Sequence, residues 1–316
     1  MDNSKQPLHI TVLAGGISAE RDVSMLSGNQ IAAGLRRCGH HVRLIDISPT
    51  DASALDLRPF DLVFPALHGV FGEDGALQEM IESRNLPYVG SGPAASRLAM
   101  DKPAAKIAMI DHGIRTPDWQ VVSADQFSPH WTPHAGIGFP CIIKPAAEGS
   151  SVACRICRDP VEARAHLEGC FAAYEVMLVE RYVQGSELTV GILDGQALPL
   201  IQIRPKTNFY DYEAKYSRDD TEYLFDINLP PPVRQEISTV ALRTYHCVDA
   251  RHLARVDVMV DAQTLSPWVL EINTMPGFTG HSLVPKAAAQ AGVDFDSLCD
   301  RLARMAVRDA VAPGRV

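Results

Sequence analysis

Long apolar runs and an excess of positive charge are both missing from this 316-residue chain. The first apolar run, residues 9–14, ends at two glycines and is too short for the hydrophobic region of a signal peptide. No later run approaches the length of a membrane-spanning helix. The 29 Lys and Arg residues are outnumbered by 38 Asp and Glu, which argues against a general nucleic-acid or anionic-membrane binder. We therefore expect small-molecule partners, with no nucleic acid and no membrane.

Cysteine is sparse, and its seven copies are an odd number scattered along the chain. This usage is typical of a reducing compartment rather than of a disulfide framework, so we expect the cytoplasm. Cys154 and Cys157 have the C-x-x-C spacing of zinc and redox sites, yet residues 151–156 resemble a strand, on which positions i and i+3 face opposite ways. No second pair completes a tetrahedral site, so two ordinary thiols are favoured over a zinc site.

The amino-terminal part of the chain has the pattern of a parallel α/β domain. The predicted elements are strands at 9–14, 41–45 and 62–66 and helices at 24–38 and 75–84. Ligands of such sheets bind at the carboxyl ends of the strands. Residues 15–20 and 68–74 are therefore expected to border a site.

The remaining chain alternates helices and strands in a different pattern. Asp159 and Pro160 suit the N-cap and the first position of a helix. The other predicted elements are helices at 102–111, 234–247 and 294–307 and strands at 141–144, 188–193, 256–260 and 269–272. We expect three domains, at 1–96, 97–185 and 186–316.

Residues 253–273 contain two strands that each have one apolar and one polar face. In an antiparallel hairpin with the apolar faces together, Asp257 must lie opposite Glu271 or Asn273, and Arg255 shares their surface. Two carboxylates and an amide oxygen suit Mg²⁺, and Arg255, about 7 Å along the strand, could meet an anion bound there. A solvated sheet face is the alternative, and the pattern taken alone favours it. The expected apolar face consists of Val256, Val258, Val260, Leu270 and Ile272.

Two loops resemble ligand-binding turns without matching a standard nucleotide motif. Lys144 ends a predicted strand and opens the loop 145–151, whose glycine and serines permit a close approach to phosphate. It is not a Walker A loop, and an ordinary surface turn is the alternative. Residues 15–24 place two glycines after the first strand without forming G-x-G-x-x-G, and helix capping by Glu20 and Asp22 is the alternative there.

Several motifs together resemble the signatures of D-alanine–D-alanine ligases, in the family order and over nearly the whole chain. They are HGVFGEDG at 68–75, KPAAEGSSV at 144–152, YDYEAKY at 210–216, ARVD at 254–257, EINTMPG at 271–277 and HSLVP at 281–285. The resemblance implies an α/β ATP-grasp fold, in which an amino-terminal parallel, Rossmann-like domain precedes two α+β domains that enclose the nucleotide. It implies ATP-dependent ligation of two D-alanine molecules for peptidoglycan synthesis, and a homodimer.

The resemblance also implies which residues bind ATP and metal. Asp257, Glu271 and Asn273 would carry two Mg²⁺ ions, for which Mn²⁺ can substitute. Tyr182 and Val183 would line the adenine pocket. The full implied set for ATP is Lys102, Lys144, Ser151, Glu180, Tyr182, Val183, Glu187, Phe209 and Lys215.

The same motifs imply two amino-acid sites. Glu20 would bind the ammonium group of the first D-alanine, and His68 would be a further substrate-binding residue. Ser282, Leu283 and Lys215 would lie near the carboxylate of the second D-alanine.

The implied reaction has two steps. The carboxylate of the first D-alanine attacks the γ-phosphate of ATP, and the amine of the second attacks the resulting acyl phosphate. Arg255 and the backbone N–H of Gly277 would face the tetrahedral oxyanion. Glu20, Ser150 and Tyr216 would form a hydrogen-bonded set.

Residues 209–220, rich in tyrosine and charge, are expected to close over the site as a lid. Ala147 and Ala153 depart from the family pattern and bear on loop kinetics rather than on activity.

One alternative function is that of a ligase of the same fold that makes D-alanyl-D-lactate or a mixed dipeptide, and Tyr216 speaks against the ester-forming ligase. Another is a non-catalytic binding protein, against which the retained lysines and metal ligands speak.

Overall fold

The computed structural model describes residues 6–57, 60–149, 152–205, 221–280 and 282–311. Helices and strands are numbered below in chain order over these residues. They form three sheets, and each sheet is built from a contiguous stretch of the sequence. The structure is therefore described sheet by sheet.

The amino-terminal sheet is parallel, with the strand order β2-β1-β3. Its elements are β1 His9–Gly15, α1 Arg21–Arg37, β2 His41–Ile47, a 3-10 turn at Ser53–Asp56, β3 Leu62–Pro65 and α2 Ala76–Glu82. The central strand β1 pairs on both sides, so that Val12 lies beside Leu44 and Phe64. The predicted β-α-β opening is confirmed, although α1 begins at Arg21 rather than at residue 24.

The second sheet is antiparallel, with the order β4-β7-β5-β6. Its strands and neighbouring helices are α3 Pro93–Met100, α4 Lys102–Asp111, β4 Trp119–Ser123, β5 Cys141–Pro145, β6 Arg155–Cys157, α5 Pro160–Cys170 and β7 Val176–Arg181. As predicted, Asp159 caps α5 by accepting hydrogen bonds from the backbone N–H groups of Val161 and Glu162, at 2.8 and 2.9 Å.

The strand predicted at 151–156 is wrong at residues 152–154, because β6 begins only at Arg155. The preceding residues turn, and Ala153 has a φ of 50°, in the left-handed region that glycine adopts more easily. A strand cannot continue through such a residue. Cys157 lies in β6 and is buried, whereas Cys154 precedes the strand and is only partly buried.

The third sheet is also antiparallel, and β9 pairs with β8 beside the main order β11-β10-β8-β12-β13. Its strands and the helices that follow them are β8 Gly185–Leu193, β9 Gln196–Ala197, β10 Ile201–Arg204, β11 Glu222–Leu224, α6 Pro231–Cys247, β12 Leu253–Asp261, β13 Pro267–Asn273, α7 Leu283–Gln290 and α8 Phe295–Val311. The polar face of the β12–β13 hairpin carries most of the candidate site.

The register of that hairpin confirms the face-parity argument. Asp257 lies directly opposite Glu271, and Arg255 lies opposite Asn273. The apolar face was predicted wrongly at two positions, because a register shift follows Asp257, pairs Val258 with Val269 and buries Val269, which was not expected on that face. Leu270 is thereby the extra residue of a bulge, which turns its side chain from the buried face to the site.

Two hydrophobic cores pack the first and third sheets against their helices. One lies between α6 and strands β8, β12 and β13. The other joins the amino-terminal sheet to the carboxyl-terminal helix, since Ile10 and Leu35 belong to the same buried cluster as Leu298 and Leu302 of α8. The division into three domains inferred from the sequence remains a prediction. Within the described ranges, no helix combines the length and apolar character needed to cross a membrane.

A buried histidine at the start of β12 ties the third sheet to the first. The His252 Nδ1 accepts a hydrogen bond of 3.0 Å from the backbone N–H of Gly90, and its Nε2 lies 3.1 Å from an Asp309 carboxylate oxygen. Arg251 stacks over the Tyr88 ring at 4.4 Å. Burial lowers the pKa of His252 to about 4, with a further contribution from Arg251 and an opposing one from Asp309.

Protonation of His252 should destabilise the fold in mild acid. Its pKa is below the unfolded value near 6.5, so the neutral form is the native one and stability falls as pH drops from about 6.5 towards 4. The variant His252→Asn keeps an acceptor for Gly90 and tolerates the left-handed φ of 63° without titrating. Urea unfolding at pH 7 and pH 5 should show the wild type losing about 2 kcal/mol more than His252→Asn. Equal losses in the two proteins would refute this assignment.

Candidate active site

Two depressions meet at the polar face of β12 and β13. The first, called the lysine pocket below, is lined by the predicted ATP ligands Lys102, Lys144, Glu180, Val183 and Glu187 together with Asp257 and Glu271. The second, called the outer cleft, is lined by the predicted substrate residues Glu20, His68, Arg255, Gly277, Ser282 and Leu283 together with Asn273. Lys102, Asp257 and Glu271 border both depressions, so the structure joins the two predicted sets at one place.

A chain of three charges lies at one wall of the lysine pocket, where Lys144 and Glu180 line the pocket and the buried Lys106 contacts Glu180. The Glu180 carboxylate lies 2.5 Å from the Lys106 ammonium and 2.6 Å from the Lys144 ammonium. Lys106 also donates to the Thr116 hydroxyl. Burial raises the pKa of Glu180, but the two lysines outweigh burial and hold it below its ordinary value. Glu180 is therefore the ionised centre of a chain with one net positive charge.

The two lysines of this chain differ in their surroundings. Burial lowers the pKa of Lys144, yet Glu180 and Glu271 outweigh burial and raise it above its ordinary value. Burial dominates at Lys106, and the Glu180 carboxylate only partly offsets the lowering of its pKa. Lys144 is thus a stable cation facing the pocket, and it can pair with an anionic group there.

Lys102 connects the pocket to the acidic hairpin. It is the first residue of α4, whose N-cap Asp101 accepts a hydrogen bond from Ala104 N–H. Its ammonium donates to the Glu148 carbonyl and lies 3.9 Å from a Glu271 carboxylate oxygen. Burial lowers the pKa of Lys102, and the coulombic field of Glu271 opposes that shift.

The acidic hairpin holds two like charges side by side. Asp257 is 6% exposed and accepts a hydrogen bond of 2.7 Å from the Thr189 hydroxyl. Arg255, two residues away on the same face, donates to both Asp257 oxygens at 3.0 and 2.8 Å. The sequence predicted that Arg255 could meet an anion bound at Asp257. In the structure, its long side chain instead folds back onto Asp257.

The oxygen atoms of Asp257, Glu271 and Asn273 suit a hard divalent cation that also binds a substrate. Like charges directly opposite on neighbouring strands repel, and a cation between them removes that cost. The Asn273 side-chain oxygen accepts a 2.8 Å hydrogen bond from Met275 N–H and retains a second lone pair. Within the described ranges, no group of three or more His, Cys, Asp or Glu forms a metal cage. Two carboxylates and an amide match Mg²⁺, which usually completes its shell with water and phosphate.

Glu20 lies where the outer cleft meets the loop that follows β5. It is the N-cap residue of α1, with Asp22 in the first turn, but its side chain makes no capping hydrogen bond. A methyl group built on Gly149 would lie 3.6 Å from Glu20 Oε2, and one built on Gly69 would lie 3.1 Å away. The absence of side chains at both glycines therefore leaves room for the Glu20 carboxylate.

His68 is held on both sides by the protein. Its Nδ1 lies 3.2 Å from a Glu73 carboxylate oxygen, and its Nε2 lies 3.3 Å from the Ser27 hydroxyl. Burial raises the pKa of Glu73, and the hydrogen bond to His68 only partly offsets it. The ring is therefore fixed in orientation at the edge of the cleft.

Ser282 closes the far side of the outer cleft at the N-cap of α7. Its hydroxyl accepts a 2.9 Å hydrogen bond from Thr279 N–H and lies 3.0 Å from the Thr279 hydroxyl. A methyl group built on Gly277 would lie 3.0 Å from the Ser282 hydroxyl, so the chain passes close to it at that point. Leu283 follows as the first residue of the helix.

Some predicted residues are not part of these walls. Tyr182 is partly buried between Arg181 and Val183, but it is not among the residues that line either depression. Five further predicted residues lie outside the described residues, as does the lid expected at 209–220: Ser150, Ser151, Phe209, Lys215 and Tyr216.

Sequence reasoning missed three residues that orient the site. Lys106 completes the buried chain on Glu180, Thr189 holds Asp257, and Glu73 holds His68. Lys106 lies one helical turn after Lys102 on a helix that was predicted, so the i, i+4 rule could have found it. Thr189 carries no such signal, because its contact with Asp257 depends on the pairing of β8 with β12.

Comparisons with known proteins cover almost the whole chain. The family model described as D-ala D-ala ligase C-terminus matches residues 109–304, and the one described as D-ala D-ala ligase N-terminus matches residues 50–91. The chain is 43% identical over 297 residues to a D-alanine–D-alanine ligase of Syntrophotalea carbinolica, covering 94% of this chain and 95% of the relative. It is 42% identical over 314 residues to one of a Synechococcus species, covering 97% and 95%.

The fold is similar to that of solved ligases. A crystal structure of D-alanine–D-alanine ligase from Bacillus anthracis complexed with ATP superposes with a TM-score of 0.84 at 31% identity, covering 97% of this chain and all of that one. The predicted ATP-grasp fold is therefore confirmed. By its sequence, its fold and the ordered motifs that line its two joined depressions, the chain belongs to the D-alanine–D-alanine ligase family of ATP-dependent ligases.

Proposed function

We propose that this protein ligates two D-alanine molecules to D-alanyl-D-alanine, with release of ADP and phosphate, for the synthesis of peptidoglycan precursors. The observation that carries this proposal is the pair of opposed carboxylates, Asp257 and Glu271, at the junction of a cationic pocket and a separate cleft. A ligase that activates one substrate with ATP and then transfers it to another needs these two compartments to share one reacting centre.

ATP occupies the lysine pocket in this proposal. Lys102 and Lys144 both line the pocket, and Glu180 holds Lys144 in place. Val183 supplies an apolar surface for the base, and Glu187 supplies an acceptor for hydroxyl groups. Phosphoryl transfer depends mainly on positioning and on charge stabilisation, which suits a pocket with fixed cations.

Asp257, Glu271 and Asn273 would hold Mg²⁺, which neutralises the negative charge that develops on the transferring phosphoryl group. In this proposal, Arg255 exchanges Asp257 for a phosphate group as its partner. Its bidentate contact with Asp257 is available for exchange, because the guanidinium can pair with phosphate in the same planar geometry. That exchange would free the Asp257 oxygens.

The outer cleft binds both D-alanine molecules in this proposal. Glu20 accepts hydrogen bonds from the ammonium group of the first, whose carboxylate attacks the γ-phosphate and forms D-alanyl phosphate. The amine of the second attacks the acyl carbon, and phosphate leaves. Arg255 and Gly277 N–H donate to the oxyanion, where the loss of one donor typically costs about 3 kcal/mol. We also propose that the protein is a homodimer in the cytoplasm.

Phosphate release from ATP tests this function directly. With Mg²⁺ and ATP present, release should depend on D-alanine, and mass spectrometry should detect D-alanyl-D-alanine. When D-alanine and D-lactate compete near neutral pH, the dipeptide should dominate over D-alanyl-D-lactate. Release that does not depend on D-alanine would favour a binding protein or another substrate, and a predominant ester would favour the depsipeptide ligase.

The variant Glu180→Gln should lose stability and ATP affinity together. It leaves the buried Lys106 and the partly buried Lys144 without their shared carboxylate, and breaking a buried ion pair costs about 3 kcal/mol in the free energy of unfolding. We expect the KM for ATP to rise about tenfold, since Lys144 loses the contact that orients it.

Urea unfolding and ATP titration of the rate measure these two effects. The matched control is Glu175→Gln, which removes the same charge from an exposed side chain just before β7. It should leave both quantities unchanged. An unchanged unfolding free energy in Glu180→Gln would show that the buried chain does not stabilise the pocket.

A further inference from the structure

Lys286 is a cation in the outer cleft for which neither the sequence motifs nor the proposed reaction assigns a role. It lies on α7 and lines the cleft together with Ser282, Leu283 and Tyr223. Its ammonium lies 4.1 Å from the centre of the Tyr223 ring, in a cation–π contact. Tyr223 and Leu283 both pack against the buried Ile203. The charge is therefore held against an apolar wall instead of extending into solvent.

Burial lowers the pKa of Lys286, and burial is the sole cause of that shift. No carboxylate within the described ranges forms an ion pair with this ammonium. A partly desolvated cation without a counter-ion is unfavourable, and an anionic ligand removes that cost.

The other cations that line the outer cleft are paired. Arg255 contacts Asp257, and Lys102 lies near Glu271 and donates to a backbone carbonyl. Across the part of the chain that the structure describes, Lys286 is the one lysine or arginine lining this cleft that has no carboxylate partner. An incoming carboxylate therefore meets an available charge at Lys286 without breaking an ion pair.

Helix geometry directs this charge towards Ser282. Lys286 follows Ser282 by one turn, and its backbone N–H donates to the Ser282 carbonyl at 3.2 Å. Side chains lean towards the amino terminus of their helix, so residues one turn apart share a face. The start of α7 also carries the positive end of the helix dipole. Ser282, the first turn of α7 and Lys286 thus converge on one side of the cleft.

We propose that Lys286 binds the carboxylate of the second, acceptor D-alanine and makes the enzyme select acceptors with a free carboxylate. The inference rests on the proposed function, because it assigns the acceptor site of that reaction to this side of the cleft. A charge-assisted hydrogen bond holds the acceptor while its amine attacks. Lys286 takes no part in bond making, so its loss should affect binding of the acceptor rather than the chemical step.

The test compares Lys286→Met with Lys286→Arg at saturating ATP. In Lys286→Met, the KM for the acceptor D-alanine should rise about tenfold, with kcat and the KM for ATP within about twofold of the wild type. Lys286→Arg keeps the charge and should restore most of the affinity. D-alaninamide, an acceptor without the carboxylate charge, should gain about tenfold relative to D-alanine in Lys286→Met.

Arg234→Gln is the control for net charge, since it removes one positive charge from an exposed position on α6. It should leave the acceptor KM unchanged. The inference would be overturned by an acceptor KM that is unchanged in Lys286→Met, or by one that rises equally in Lys286→Arg. It would also be overturned if Lys286→Met lost activity equally with D-alanine and with D-alaninamide as acceptor. A wild-type protein that releases no phosphate on addition of D-alanine would instead refute the proposed function, so the two failures are distinct.

Discussion

The pairing of β12 with β13 is the constraint on which the site depends. It sets Asp257 directly beside Glu271 and Arg255 beside Asn273, on a face that borders both depressions. Two carboxylates directly opposite each other on neighbouring strands repel. Contacts with Arg255, Lys102 and the hydroxyl of Thr189 offset this repulsion. A slip of one residue would turn this entire set to the buried side. Register, more than loop conformation, therefore determines where the chemistry occurs.

The second fixed element is the buried chain of Lys106, Glu180 and Lys144. It connects α4 to the neighbouring strands β5 and β7, so the lysine that faces the pocket is anchored from inside the protein. Such a chain contributes little net stability compared with an apolar core, but removing its centre is costly. Its value to the protein lies in orientation, because it holds one charged donor where an anionic ligand can bind.

The sequence predicted elements whose patterns are local. The parallel opening, the helix at 102–111, the cap at Asp159 and the shared face of Asp257 and Glu271 all follow from periodicity and capping rules within a short window. The bulge at Leu270 was missed, because face alternation assumes an unbroken ladder. The turn at Ala153 was missed since alanine rarely adopts a positive φ.

Contacts between distant segments could not be predicted in this way. Thr189 reaches Asp257 only through the pairing of β8 with β12, and Lys286 meets Tyr223 only because α7 packs beside β11. Sequence motifs identified the residues that belong to a family pattern, including Lys144 and Glu180. They did not identify Lys106 or Thr189, because the contacts of these two residues depend on packing between elements far apart in the chain.

Metal binding tests the central claim most directly. Electron paramagnetic resonance of Mn²⁺ with ATP should show the wild-type protein binding the ion, and Asp257→Asn should weaken that binding about tenfold or more. Asp261→Asn, at the end of the same strand, removes an equal charge outside the two depressions and should bind Mn²⁺ as the wild type does. If Asp257→Asn binds Mn²⁺ as tightly as the wild type, the paired carboxylates of β12 and β13 are not the metal site, and the account is contradicted.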